Sequence, residues 1–105
     1  MITLDELYKV VEERKNLDPE TSYTASLFAK GINKISQKVG EEAVETVIAA
    51  ISGDKNEIIN ESADLLFHLL ALWSATNVKP EEVMDILNQR RNTSGIDEKK
   101  SRKKE

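Results

Sequence analysis

The sequence has no cysteine. Disulfides, thiolate nucleophiles and cysteine-ligated zinc are therefore excluded. Two prolines and four glycines in 105 residues are too few for a turn-rich all-β fold. No apolar run approaches the ~20 residues of a membrane-spanning helix. The N-terminus has no basic-then-apolar targeting segment. A cytoplasmic protein with no membrane partner is the expectation. An excess of positive charge is also missing, since the formal net charge is −4. Residues 97–105 hold five Lys/Arg against three Asp/Glu, a net +2, which leaves ten against sixteen, or −6, for residues 1–96. An acidic body argues against nucleic acid as a partner.

Apolar residues make up 39% and charged residues 32%, the balance of a soluble helical domain. The periodicity predicts an all-α fold, an antiparallel bundle of four main helices over residues 1–96. The charged segment 97–105 reads as a solvated, flexible tail. The first helix runs from about Leu4 to about Lys15, behind a Thr3/Glu6 capping pattern. The second starts near Ser22 or Thr24 and runs to about Ser52, with Leu27, Phe28, Ile32, Ile35 and Val39 on its apolar stripe. Gly31 and Gly40 lie inside it, and Gly40 is a candidate for a bend. Gly53 ends it. Asp54 and Glu57 open a third helix, which reaches about Thr76. Pro80 opens a fourth with Val83, Ile86 and Leu87 on its inner face, and "NTSG" at 92–95 stops it. Short connections make successive helices antiparallel neighbours. A chain of this size, with a third helix apolar nearly all round, is expected to assemble as a homodimer.

Acids stand where apolar residues are expected. Ile58, Ile59, Leu65, Leu66, Phe67, Leu69, Leu70 and Leu72 go most of the way round the third helix, the pattern of a buried central helix. Glu61, Asp64 and His68 interrupt it on one face, at about 100° per residue. The second helix carries Glu41, Glu42 and Glu45 at i, i+3 and i, i+4 spacing. Antiparallel packing about the turn at 53–54 would bring the two acidic stripes to similar heights. Crowded carboxylates repel, and only protons or cations relieve them. Magnesium suits such hard oxygen donors and keeps positions open for water and phosphate oxygens. Lone glutamates on helices are ordinarily solvated, and Glu41 by itself fits that reading as well as a functional one. A histidine such as His68 is more often a satisfied core or interface residue than a ligand. Lys30, Lys34 and Lys38 lead into the acids at i, i+4 steps, which ordinary ion pairing explains in part. Lys38 and Lys34 are candidate phosphate-binding residues, as are Arg90 and Arg91 near the end of the fourth helix. Cations also favour that end of a helix on electrostatic grounds alone.

"SYTASLFAKGINKISQKVGEEAVETVIAA" followed by "NESADLLFHLLAL" resembles the phosphoribosyl-ATP pyrophosphohydrolase family. That family lies within the all-α, MazG-like NTP pyrophosphatases, whose motif is E-E-x-x-E followed by E-x-x-D. The likeness covers about residues 3–96. It implies Mg²⁺-dependent cleavage of the α–β phosphoanhydride of 1-(5-phosphoribosyl)-ATP, giving phosphoribosyl-AMP and pyrophosphate, the second step of histidine biosynthesis. By the same likeness Glu42, Glu45, Glu61 and Asp64 are metal ligands and Glu41 orients the attacking water. The resemblance also implies a homodimer, with the following step carried by a separate protein. Two competing functions are a MazG-like house-cleaning nucleoside triphosphate pyrophosphatase and a non-catalytic helical dimerisation module. The acid motif reads only metal and phosphate, so it does not separate the two enzymes.

Overall fold

The computed structural model describes residues 1–91 and, beyond them, residues 96, 99, 100 and 102. The described residues form five helices and no strand: α1 (Leu4–Arg14), α2 (Tyr23–Lys30), α3 (Ile32–Ser52), α4 (Lys55–Ala75) and α5 (Pro80–Arg90). The expected stop at 92–95 lies outside the described residues, as does the tail apart from Lys99, Lys100 and Arg102.

The helix ends follow local chemistry. The Thr3 hydroxyl accepts from the Glu6 amide at 3.1 Å, and Asp54 accepts from the Glu57 amide at 3.2 Å. Each satisfies an amide left unpaired in a first turn. Ser22 caps α2 by accepting from the Ala25 amide at 3.1 Å. Gly53 takes the left-handed conformation (φ 77°) and donates its amide to Ala49 and Ala50, closing α3. At the start of α5 the Glu82 carboxylate accepts from the Lys79 amide at 2.9 Å.

One expectation is corrected: the single helix expected over 22–52 is two, broken at Gly31. Gly31 adopts φ 93° and ψ 174°, a region essentially confined to glycine. Apolar positions continue at helical spacing across it, with Leu27 and Ile35 both buried, so periodicity carried no sign of the break. Gly40, by contrast, sits inside an uninterrupted α3.

Val11, Leu27, Ile35 and Ala71 form the core where α1, α2, α3 and α4 converge, with Phe28, Phe67 and Leu72 against them. Full burial of each large side chain contributes about 1.5–3 kcal/mol. α3 and α4 form the most extensive helix pair, α1 packs on α4, and α5 packs on α1. The far half of the α3–α4 hairpin is covered on one side only. Val44, Val47, Ile48 and Ile51 on α3 and Ile59 and Leu66 on α4 are exposed. Within one chain α4 is therefore not the fully buried helix its sequence predicts. Ile86 and Leu87, expected on an inner face of α5, are also exposed.

Candidate active site

The antiparallel pairing of α3 and α4 brings the acidic turns together. Glu42 and Glu45 from α3 and Glu61 from α4 each place a carboxylate oxygen within 4.8 Å of the others. Glu42 is only 6% exposed. One of its oxygens lies 3.3 Å from the Lys38 ammonium. Its other oxygen, Oε2, and Glu61 Oε2 are buried without a hydrogen-bond partner. Buried acceptors of this kind are costly unless satisfied. Two carboxylates from different helices, each with an orphaned oxygen, converge with a third and form a donor set that fits a hard divalent cation.

Electrostatics record the crowding. The Glu61 pKa is pushed up to about 7, chiefly by the adjoining Glu45 carboxyl, with which it competes for a shared proton. Burial and the charges of Glu45 and Glu42 act in the same direction. Like charges this close ionise together only at a cost in stability, which a cation relieves.

The remaining predicted residues take distinct places. Asp64 stands one turn beyond Glu61, exposed and outside the three-carboxylate cluster. Glu41 turns outward. It accepts from Gln37 Nε2 at 2.7 Å and pairs with Lys38 at 3.3 Å. These contacts, Gln37 first, hold its pKa below the ordinary carboxylate value, and the Lys34 charge adds to this. Lys38 thus spans Glu41 and Glu42, and its pKa is raised chiefly by the bond to Glu41. Arg90 and Arg91 lie exposed at the end of α5, where Arg91 Nη1 donates to Asn88 at 3.3 Å.

His68 is buried, at 5% exposure, and both ring nitrogens are engaged. Nδ1 lies 2.7 Å from the Asp64 carbonyl. A carbonyl only accepts, so Nδ1 carries the proton. In the neutral ring Nε2 then accepts from the Tyr23 hydroxyl at 2.8 Å. The His68 ring also stands edge-on to Phe67 and Tyr23. With neither nitrogen free for a metal, His68 is the satisfied interior histidine the sequence favoured. It ties the start of α2 to the acidic turn of α4. Tyr23 was not singled out from the sequence. It lies 45 residues from His68, and no local spacing links them. Its phenol feels the charges of Lys38, Glu42, Asp64 and Glu41, while burial raises its pKa.

The sequence is also similar to known proteins. Residues 4–91 match the family described as phosphoribosyl-ATP pyrophosphohydrolase. A phosphoribosyl-ATP pyrophosphatase of Paramagnetospirillum magneticum is 59% identical over 101 residues, covering 96% of this chain and 93% of the relative. One from Azospirillum brasilense is 59% identical over 100 residues, covering 95% and 90%. A third, from Rhizorhabdus wittichii, is 52% identical over 102 residues, covering 97% and 96%. Coverage is near-complete on both sides. The chain belongs to the phosphoribosyl-ATP pyrophosphohydrolase family.

Proposed function

We propose that this chain hydrolyses phosphoribosyl-ATP to phosphoribosyl-AMP and pyrophosphate in histidine biosynthesis, using Mg²⁺ held by the α3–α4 acids. One observation carries the reading: Glu42, Glu45 and Glu61 converge within 4.8 Å, with buried oxygens of Glu42 and Glu61 unpartnered. Glu42, Glu45 and Glu61 would hold the ion, and Asp64 completes the set from the next turn of α4. Bound there, Mg²⁺ neutralises phosphate charge, the main requirement of phosphoryl transfer.

The chain's own residues supply position. Glu41, held by Gln37 and Lys38, accepts a hydrogen bond from the attacking water and orients it. As the water oxygen bonds to the α-phosphorus, Glu41 takes its proton, the α–β anhydride P–O bond breaks and pyrophosphate leaves. Lys38 and Lys34 lie beside the acids to balance charge on the polyphosphate. Arg90 and Arg91 join them in this proposal only if the assembly brings the end of α5 to the site.

The functional unit, on this reading, is a cytoplasmic homodimer of one domain spanning residues 1–96. The exposed apolar residues of the α3–α4 hairpin lie on the same two helices as the acids. A second copy covering them would complete the burial that the α4 sequence predicts and shield the site from water.

The test is product analysis with phosphoribosyl-ATP against a panel of nucleoside triphosphates, with Mg²⁺ and with excess EDTA. Pyrophosphate released from phosphoribosyl-ATP in a Mg²⁺-dependent manner is the expected result. Preference for a simple triphosphate would move the chain to house-cleaning hydrolysis. Turnover of neither would favour a dimerisation module.

A further inference from the structure

The acids account for the triphosphate, but nothing described above recognises the rest of the molecule. A cavity of about 440 Å³ adjoins Tyr23, lined by Arg14, Leu17, Thr21, Ser22, Tyr23 and Phe67 among others. Its size falls within the ~300–1,000 Å³ typical of small-molecule sites. Tyr23 belongs to both places. Its ring lines the cavity, and its phenol lies within electrostatic reach of Lys38, Glu42, Asp64 and Glu41. A molecule whose polyphosphate lies on the acids therefore has a neighbouring compartment for its other end.

The lining has a definite chemistry. Arg14 is exposed at the last turn of α1, and its side chain makes no ion pair or hydrogen bond among the described residues. Neighbouring Lys15, by contrast, is committed to Glu12 and Ser74. An uncommitted guanidinium favours a phosphate, which it binds through two parallel hydrogen bonds. Ser22 Oγ accepts from the Ala25 amide, which leaves its own proton to donate. Tyr23 and Phe67, with ring centroids 6.2 Å apart, form an aromatic wall. His68 holds Tyr23 in place through the 2.8 Å bond to its hydroxyl. Two other cavities, one beside Lys15 and one beside Lys79, contain none of the residues that face the acids.

We propose that this cavity is the subsite for the phosphorylated ribose that distinguishes phosphoribosyl-ATP from a simple nucleoside triphosphate, with Arg14 binding its phosphate. The proposal rests on the substrate reading given above. It places the choice between substrates on α1 and the loop to α2, away from the carboxylates that every member of the wider superfamily would need. Arg14 then acts on binding and not on the chemical step, because it touches a part of the substrate remote from the reacting anhydride.

The experiment uses the full chain with Mg²⁺ and compares wild type, Arg14→Gln and Arg14→Lys. Arg14→Gln is expected to raise KM for phosphoribosyl-ATP at least about tenfold, the scale of one charge-assisted hydrogen bond. Its kcat should stay within about threefold of wild type. Inhibition by phosphoribosyl-AMP should weaken by a similar factor, while inhibition by pyrophosphate, which needs only the acids, should not change. Arg14→Lys, which keeps the charge, should recover part of the loss. An unchanged KM in Arg14→Gln, a fall in kcat at constant KM, or equal weakening of both product inhibitions would each overturn the subsite. If wild type itself fails to hydrolyse phosphoribosyl-ATP, the substrate reading falls, and this inference with it. If wild type turns it over and Arg14→Gln binds it equally well, only the subsite falls.

Discussion

Magnesium binding should depend steeply on pH below about 7 and little above it. Glu61 carries the effect. Its pKa stands near 7, against an ordinary value of 4.5, because Glu45 adjoins it and burial disfavours its charge. A metal ligand must be deprotonated, so on the proposed metal reading Mg²⁺ and the proton on Glu61 compete. Each pH unit below about 7 should weaken apparent affinity about tenfold. At about pH 6 binding should release close to one proton, and at about pH 8 almost none. The metal-free protein should follow the converse rule. Between about 4.5 and 7 the native state binds more protons than the unfolded chain, so stability falls as pH rises through that window and levels off above it. Mg²⁺ should restore the loss at the upper end. Calorimetric titration with Mg²⁺ in two buffers of different ionisation enthalpy measures affinity and proton release together. Glu61→Gln removes the titrating group and should abolish both the pH dependence and most of the affinity. A wild-type affinity that is flat from about pH 5.5 to 8, with no proton release, would refute the convergence of Glu61 with Glu45 and Glu42.

The two glycines should respond in opposite senses. Gly31→Ala forces a side chain into φ 93° and should destabilise by about 1–3 kcal/mol in thermal melts. Gly40→Ala meets nothing within 4 Å and lies inside a helix, so it should stabilise by about 0.5–1 kcal/mol; a loss there would reveal a close approach at Gly40. Val47→Glu should convert the sedimenting dimer to monomer and lower the melting temperature, because Val47 is more than half exposed in one chain and covered in the proposed pair. A variant that stays dimeric would remove this face from the interface. Asp64→Asn should cut activity by orders of magnitude and reduce the stabilisation from Mg²⁺. In EDTA its melting temperature should match or exceed that of wild type; one that melts well below it, yet gains as much from Mg²⁺, would show that Asp64 is structural.

Much of the fold was legible because it is local. Thr3, Asp54 and Gly53 mark helix ends through bonds that reach three or four residues, and Pro80 marks one through its fixed φ and missing N–H. The faces of α3 and α4 follow from a fixed rotation per residue, which is why Glu42 with Glu45, and Glu61 with Asp64, could be placed on shared faces before any packing was known. The break at Gly31 was hidden because a backbone change that preserves apolar spacing leaves no trace in periodicity.

The acidic motif, with the short turn between its two helices, was enough to expect that carboxylates from both helices would meet. Which carboxylates meet was a tertiary decision. Helical rotation sets directions within one helix, whereas the height and roll of α4 against α3 depend on every side chain between them. That packing draws in Glu42, Glu45 and Glu61 and leaves Asp64 at the edge, while Glu41 keeps to Gln37 and Lys38 on its own helix. The Tyr23–His68 bond, the cavity beside Arg14 and the open apolar face of the hairpin also belong to the tertiary structure. Each joins residues far apart in sequence. No spacing rule encodes such a pair, because the chain between them specifies it only through the packing of the whole fold.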